Sequence, residues 1–198
     1  TMKKALKEAV RQHKKALSIE YKSFKGDKNV VSYRAKYDLD TISKFTSKKY
    51  DVTKLSDIKN FMIILDTHKY KNKTKYINAL KRTDYDLIFI DLFDESGRML
   101  TATDVKALKV KHNGGKRLVC SYISVGEAEN YRYYWKKKWN KKRPKWIVKE
   151  NKEWKGNYWV KYWVTDWQRI LDGYMNRIVK VGFDGVYLDV IDAYEHFG

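Results

Sequence analysis

The sequence predicts an α/β fold built from parallel βαβ units. Between residues 61 and 191, four short apolar runs of strand length each lead into an acidic residue. The segments between these runs have the composition and the stop signals of helices. Strands that alternate with helices of this length indicate a parallel sheet joined by right-handed crossovers.

Each predicted strand delivers a carboxylate at its carboxyl end. The strands are predicted at residues 61–65, 87–90, 118–125 and 186–191. Ligands bind at this end of the strands in parallel α/β sheets and barrels, so these acids are the first candidates for a functional site. The acids in question are Asp66, Asp91, Glu127, Asp189, Asp192 and Glu195.

The last strand has the clearest pattern of the four. Its apolar, largely β-branched positions between 186 and 191 favour a fully buried parallel strand. Gly182 and Gly185 suit the tight turn that leads from a helix into it. We therefore expect the residues before Asp189 to belong to the core, and the functional side chains to begin at Asp189.

Helices are predicted between the strands and, with weaker signals, near the N-terminus. The three connecting helices are expected at Thr74–Lys81, Thr103–His112 and Trp167–Val181, with glycines at 114, 115 and 182 as stops. Upstream, the pattern indicates an amphipathic helix over residues 3–21, a strand at Val30–Tyr33 and a helix at Leu39–Phe45. We therefore divide the chain into an N-terminal helix and polar extension, residues 1–60, and a βα domain, residues 61–198.

Composition excludes several classes of protein. The chain has 198 residues, of which 43% are hydrophobic and 15% aromatic, and this excludes wholesale disorder. No apolar run approaches the roughly 20 residues that span a bilayer, so no membrane span is predicted. No signal-peptide pattern precedes the first helix, and Thr1-Met2 resembles a processed terminus. We expect an extracellular location if an export signal has been removed and a cytoplasmic one otherwise.

Cysteine and histidine usage argues against disulfides and zinc. The single Cys120 cannot form an internal disulfide, and its position within a strand indicates a small core residue. The histidines are scattered without the spacing of metal ligands, at His13, His68, His112 and His196. No cofactor is therefore expected.

The formal net charge of +19 raises the possibility of a nucleic-acid partner. Residues 131–146 interleave aromatic and basic side chains, as proteins that bind single strands do. However, the basic residues are spread along the whole chain, and lysine greatly outnumbers arginine, the better bidentate reader of phosphate. Residues 183–198 contain four acidic residues and neither lysine nor arginine. We expect a solvated basic surface and no specific nucleic-acid partner.

Three long motifs carry a family resemblance. The segments 121–132, 156–163 and 182–194 closely resemble the barrels of glycoside hydrolase family 114, which are related to endo-α-1,4-polygalactosaminidases. The resemblance covers roughly residues 61–198 in order. It implies a (β/α)8 TIM-barrel fold, of which about the first four βα units are present in this chain. It also implies endo-hydrolysis of α-1,4-linked galactosamine or N-acetylgalactosamine polysaccharide.

The resemblance implies that Asp189 is one catalytic carboxylate, and that its partner is a Glu on a later strand, which we expect beyond Gly198. On that reading the 198-residue chain would not turn over a glycan by itself. Glycoside cleavage canonically uses one protonated and one ionised carboxyl group, and clustered acids can produce that difference. Within this chain Asp189 is the candidate for the ionised member and Glu127 the best available acid. The alternative for Glu127 is a role as a substrate ligand or as a residue supporting one.

The remaining candidates would bind substrate. Sugar rings pack their C–H faces on aromatic side chains such as Tyr158 and Trp159, which we expect on a loop. Arg132 follows Glu127 closely enough to pair with it and orient it. The predicted substrate-binding residues are Asp91, Tyr122, Arg132, Tyr158, Trp159, Tyr187, Asp192 and Tyr194.

Some neighbouring side chains have structural roles as their better explanation. Asp184 lies in the turn before the last strand and is expected to cap it. Trp163 and Trp167 are expected to form part of a hydrophobic cover over the barrel mouth, and Glu129 is expected to be solvated.

Two further functions stay open from the sequence alone. One is a non-catalytic carbohydrate-binding or surface protein that retains a partial barrel. The other is a hydrolase in which Asp91, Glu127 and Asp189 hold Mg²⁺ or Ca²⁺ through oxygen ligands. A partial barrel also leaves open sheet edges, through which copies of the chain could self-associate.

Overall fold

The computed structural model describes the backbone of residues 16–20 and 30–34 and the whole of residues 41–197. Ala16–Glu20 forms strand β1 and Val30–Arg34 forms strand β2, which pair in parallel. The predicted strand at Val30–Tyr33 is therefore confirmed. The predicted helix over 3–21 is wrong for residues 16–20. These residues pair in parallel with β2, and the spacing of apolar residues along the chain does not indicate such a partner. The rest of that helix lies outside the described residues.

The predicted helix at Leu39–Phe45 is also not found where the chain is described. Residues 41–45 have no regular secondary structure, and residues 39 and 40 lie outside the described part. The backbone N–H of Ile42 donates to the Tyr70 hydroxyl at 2.9 Å instead of to a helical carbonyl. A tertiary contact thus replaces the local hydrogen bonds of a helix.

The centre of the fold is a four-stranded parallel sheet with the order β3-β4-β5-β9. Its strands are Phe61–Ile64 (β3), Leu87–Ile90 (β4), Leu118–Ser124 (β5) and Gly185–Asp189 (β9). All four strands predicted from apolar runs are confirmed, with ends that differ by at most two residues. All neighbouring pairs are parallel, so the carboxyl ends of the strands share one edge of the sheet.

Three helices connect these strands. They are Lys73–Lys81 (α1), Ala102–Leu108 (α2) and Thr165–Val181 (α3). In α2 the Thr101 side chain and Asp104 form a capping box, and α3 ends at Gly182, whose φ of 88° is in the left-handed region. Helix α2 ends four residues before the predicted His112, because residues 110 and 116 form an antiparallel bridge that turns the chain back.

The hydrophobic core includes the side chains of β3, β4 and β5. Strand β9 is less buried than predicted. Strands β3 and β4 are buried at every position. By contrast Leu188 is 46% exposed and Ile191, beyond the end of β9, is 67% exposed. The prediction of a fully buried last strand is therefore wrong, because β9 pairs with β5 alone among the described strands and has an open edge. Val52 and Ile58 pack in the same core as β3, while the predicted boundary at residue 60 stays a prediction.

A second, antiparallel sheet lies between β5 and α3 in the sequence, and it was not predicted. It has the order β6-β8-β7, formed by Glu127–Glu129 (β6), Ile147–Glu150 (β7) and Asn157–Val160 (β8). Its own core is a cluster rich in aromatic side chains, including the fully buried Trp167. The expected structural role of Trp167 is therefore confirmed. Two of its neighbours, Trp139 and Trp146, have ring centroids 5.4 Å apart.

Short 3-10 helices complete the described chain at Leu55–Asp57, Lys137–Asn140 and Ala193–His196. Within the described ranges, no helix combines the length and the apolar composition that crossing a bilayer requires.

Candidate functional site

The carboxyl ends of the parallel strands open into one cleft of about 1020 Å³. Among the described residues that line it, Arg132 is the only lysine or arginine, whereas eight are acidic. The acids are Asp66, Asp91, Asp94, Glu95, Glu127, Glu129, Asp189 and Asp192. The structure thus brings together five of the six predicted strand-end acids and leaves out Glu195.

Asp189 ends strand β9 next to β5. Its backbone carbonyl accepts a hydrogen bond from the N–H of Val125 at 3.0 Å, and its Oδ2 accepts one from the Tyr122 hydroxyl at 2.9 Å. Burial, with the nearby charges of Glu129 and Asp189, raises the pKa of Tyr122. Tyr122 therefore keeps its proton and remains a hydrogen-bond donor to Asp189.

The backbone beside Asp189 has an unusual conformation. Val190 has a φ of 58°, in the left-handed region that β-branched residues rarely enter. A Cβ added to Gly126 would lie 2.4 Å from the carbonyl oxygen of Val190 and 2.6 Å from the Cβ of Ala193. Only a glycine at position 126 therefore allows the chain that carries Asp189 to pack this closely against the start of β6.

Glu127 follows Gly126 at the start of β6 and is 2% exposed. The side-chain amide of Asn151 donates to its Oε1 at 2.7 Å, and that of Asn157 donates to its Oε2 at 3.3 Å. Burial raises the pKa of Glu127, the charges of Glu129 and Asp189 add to this, and the two amides oppose it. The net effect is a glutamate that holds its proton more readily than an ordinary one.

Arg132 joins the two sheets, and it does so away from Glu127. Its Nε donates to Oε2 of Glu129 at 2.6 Å, and its Nη2 lies 2.6 Å from Oδ2 of Asp91. The predicted pair between Arg132 and Glu127 is therefore wrong. The predicted solvation of Glu129 is also wrong, because this side chain is 3% exposed and bound by the guanidinium. Strand alternation places residues 127 and 129 on the same face of β6, and the fold then brings Asp91 to the arginine.

The electrostatics of this trio are those of a buried ion network. Burial acts to lower the pKa of Arg132, but Asp91 and Glu129 outweigh it and the pKa is raised. Asp91 also accepts a hydrogen bond of 2.8 Å from the backbone N–H of Phe93. Arg132 and Asp91 line the cleft as predicted, but each is occupied by the other, and their predicted contact with substrate stays a prediction.

The aromatic candidates divide between the cleft and the core. Trp159 and Tyr187 line the cleft, and the Trp159 ring stacks on His196 with centroids 4.3 Å apart. Tyr158 lies in strand β8 rather than on the expected loop, so its side chain points to the opposite face from Trp159 and packs 5.0 Å from the Trp135 ring. Tyr194 is 58% exposed and is not among the residues that line the cleft. The structure therefore does not bring Tyr158 or Tyr194 to the cleft.

Asp184 has the structural role that was expected of it. Its carboxylate accepts a hydrogen bond from the N–H of Val119 at 2.9 Å and lies 2.6 Å from the amino group of Lys109. It therefore ties the turn before β9 to strand β5 and helix α2.

Sequence reasoning missed several side chains of the cleft, among them Asp94, Glu95, Tyr131, Asn151, Trp154 and Asn157. Three of these belong to the β7–β8 hairpin, which was not predicted. The available signal was the polar turn-like stretch from 150 to 157, which contains Gly156 and lies between two apolar runs.

The acidic residues of the cleft do not form a recognisable metal site. Among residues 41–197, no three side chains of His, Cys, Asp or Glu are grouped so that they could hold a metal ion. The geometry therefore gives no support to the alternative in which Asp91, Glu127 and Asp189 share a cation.

Comparison with known proteins places this geometry in context. Residues 42–198 match glycoside-hydrolase family GH114. An uncharacterized protein of Methanocaldococcus jannaschii is 35% identical over 147 residues, which are 74% of this chain and 41% of that protein. An uncharacterized protein of Deinococcus radiodurans is 39% identical over 119 residues, which are 60% of this chain and 37% of that protein. The chain thus spans less than half the length of these curated relatives.

A solved structure shares the fold. The crystal structure of Aspergillus fumigatus Ega3 in complex with galactosamine is similar with a TM-score of 0.50 and 23% sequence identity. The similarity covers 77% of this chain and 51% of that one.

Proposed function

The chain belongs to glycoside-hydrolase family GH114, and on this basis we propose that its cleft takes part in the endo-hydrolysis of α-1,4-linked polymers of galactosamine and N-acetylgalactosamine. The observation that carries the proposal is the sign of the charge in the cleft. Eight acidic side chains line it, and the charge of Arg132 is already neutralised by Asp91 and Glu129. A ligand that enters therefore meets an excess of negative charge.

Local charge decides which sugars this cleft attracts. The net charge of +19 repels a polycation at long range. At physiological salt, however, charges act over a Debye length of about 8 Å, so the acids that line the cleft dominate within it. A protonated amino sugar satisfies that field, whereas an acidic sugar does not. The galactosamine bound to Ega3 is consistent with this choice of substrate class.

In this proposal Asp189 acts as the ionised carboxylate next to the oxocarbenium-like transition state. The Tyr122 hydroxyl donates to its Oδ2 and holds that oxygen in place. Glu127, whose pKa is raised by burial, is the acid within this chain that is best suited to protonate a leaving group.

The two amide hydrogen bonds to Glu127 favour a second role for this side chain. Both of its oxygens face amide donors, from Asn151 and Asn157, and this arrangement suits a carboxylate better than a carboxylic acid. An ionised Glu127 would bind the ammonium group of an amino sugar. The second candidate function is therefore glycan binding without turnover by this chain, with the family's partner acid supplied from a later strand.

The fold is part of the same proposal. Four parallel strands with β3 and β9 at their edges correspond to about half of a (β/α)8 barrel. The open edges would pair with further strands or with a second copy of the chain.

The test is incubation with α-1,4-linked galactosamine oligomers of defined length, with products sized by mass spectrometry and binding measured by calorimetry. Internal cleavage that Asp189→Asn abolishes supports the hydrolase. Binding without cleavage supports the second candidate. A chain that neither binds nor cleaves these oligomers, or their N-acetylated forms, overturns both.

A further inference from the structure

We propose that Trp154 is the platform of an outer sugar subsite, and that this subsite takes an uncharged, N-acetylated ring while the acidic floor of the cleft takes rings with free amines. The inference rests on the proposed function and extends it to the pattern of acetylation along the bound polymer.

The hairpin that carries Trp154 is held in one shape. The N–H of Asn151 donates to the carbonyl of Asn157 at 2.7 Å, and the N–H of Asn157 donates to the carbonyl of Trp154 at 3.1 Å. The N–H of Gly156 donates to Oε1 of Glu150 at 2.7 Å. Because the loop is closed by its own hydrogen bonds, Trp154 is presented to the cleft before any ligand arrives, which reduces the ordering cost of binding.

The Trp154 ring is the least covered tryptophan surface at the cleft. It lines the cleft and is 64% exposed. Within the described residues it makes no ring contact, whereas Trp159 stacks on His196 and Trp163 packs 5.1 Å from Phe197. Ligand clefts are lined by aromatic side chains, and a ring left open in the wall of such a cleft is available to a ligand. The C–H face of a sugar ring is a flat apolar surface that fits it.

The platform has a defined position relative to the floor of the cleft. Asn151 and Asn157, at the two ends of the loop between β7 and β8, are the residues that donate to Glu127. The Tyr131 hydroxyl donates to Glu129 at 2.6 Å and also lies 3.4 Å from Oδ1 of Asn157. A polymer that reaches from the acids to Trp154 therefore crosses a rigid frame.

Charge changes sign between the floor and the platform. The loop at the platform carries Lys152, Glu153 and Lys155, all of them exposed and without an ion pair to a described residue, so its net charge is +1. Residues 136–161, which include this hairpin, contain eleven lysines and arginines against two acids. Both lysines lie within two residues of Trp154, and their combined charge exceeds that of Glu153, so they disfavour a protonated amine on its ring. An N-acetylated ring has no such charge and keeps its apolar face.

The platform is tested by calorimetry on the full chain with three ligands. These are a galactosamine disaccharide, a fully de-N-acetylated α-1,4-linked heptamer and a partly N-acetylated heptamer. We expect Trp154→Ala to weaken the binding of the partly N-acetylated heptamer about tenfold, the order of one good aromatic contact, and to leave the disaccharide unchanged. Trp163→Ala is the matched control, because this tryptophan is also half exposed but does not line the cleft.

The charge preference is tested by removing the flanking lysines. Lys152→Gln with Lys155→Gln should strengthen the binding of the de-N-acetylated heptamer severalfold and leave the partly N-acetylated one unchanged. Lys137→Gln with Lys138→Gln removes the same charge from exposed positions in the 3-10 helix Lys137–Asn140, outside the hairpin, and should change neither.

The outcomes separate this inference from the function on which it rests. If the disaccharide binds while Trp154→Ala and Trp163→Ala behave alike on both heptamers, the platform is wrong and the function stands. If the two lysine pairs have equal effects, the acetylation preference is wrong. If no ligand binds the unaltered chain, the proposed function and the inference both fail.

Discussion

The Tyr122 hydroxyl donates a hydrogen bond of 2.9 Å to Oδ2 of Asp189, across the paired strands β5 and β9. The two side chains come from segments 67 residues apart in the sequence. The contact joins the acid named by sequence pattern to a tyrosine whose raised pKa keeps it a donor.

The first prediction concerns Asp189 itself. In any form of the protein that cleaves galactosamine oligomers, Asp189→Asn should lower hydrolysis by at least about a hundredfold, because it removes a charge that the transition state requires. Thermal stability should be unchanged or raised, since a carboxylate among other acids is removed while the Tyr122 hydroxyl keeps an acceptor. Product analysis and thermal unfolding measure the two effects, and wild-type turnover in the variant would contradict the assignment.

The second prediction concerns the proton on Glu127. Because burial raises its pKa, Glu127 should titrate above the ordinary value of a glutamate in a carbon-detected NMR experiment. Asp189→Asn should lower that pKa by removing a like charge, yet leave it above the ordinary value because burial is the larger cause. If protonated Glu127 is the acid of the reaction, turnover is present below its pKa and falls as the pH rises through it. A Glu127 that titrates like an exposed glutamate would refute this environment.

The third prediction concerns the buried network of Arg132. Arg132→Ala leaves Asp91 and Glu129 buried without their cation, and should lower the free energy of unfolding by about 3–5 kcal/mol. The control is Arg169→Ala, which breaks an exposed pair with Asp166 and should cost less than about 1 kcal/mol. Urea denaturation measures both losses. Equal losses would show that the buried network stabilises the protein no more than an exposed ion pair does.

The fourth prediction concerns the close approach at Gly126. Gly126→Ala places a Cβ 2.4 Å from the carbonyl of Val190, so the segment that carries Asp189 has to move. We expect a loss of stability of about 1–3 kcal/mol together with weaker oligosaccharide binding. Gly173→Ala in helix α3 is the control, because its Cβ meets only the end of Arg177 at 3.7 Å and should stabilise the protein by about 0.5–1 kcal/mol.

The fifth prediction concerns nucleic acid. Trp139 and Trp146 lie in the aromatic-basic segment 131–146, but each is only 6% exposed and they pack against each other. These two tryptophans therefore offer no stacking surface for bases, and the exposed rings of the segment, Tyr131 and Tyr133, line the acidic cleft, which repels phosphate. Binding to single-stranded oligonucleotides should be weak and should disappear steeply with added salt. Sequence-preferring, sub-micromolar binding at physiological salt would overturn the glycosidase proposal.

Sequence pattern located the elements whose signals are local. The four parallel strands were identifiable because runs such as 87–90 must be apolar at every position when both faces of a sheet are covered. Helix α3 was identifiable because its amphipathic stripe ends at Gly182, where a left-handed residue is needed. The antiparallel sheet was missed, because its strands of three or four residues have too few alternations to be recognised.

The sequence by itself therefore determined the parallel sheet, the edge of that sheet at which acids collect, and the identity of Asp189 as the principal candidate. Only the tertiary structure decided which partner each side chain meets. In the structure Arg132 forms ion pairs with Asp91 and Glu129 rather than with Glu127. The side chain of Tyr158 is buried in the core, whereas that of Trp154 is exposed and lines the cleft. The physical reason is that periodicity reports which residues are buried, whereas pairing between buried groups depends on strand order and on distances between segments far apart in the chain.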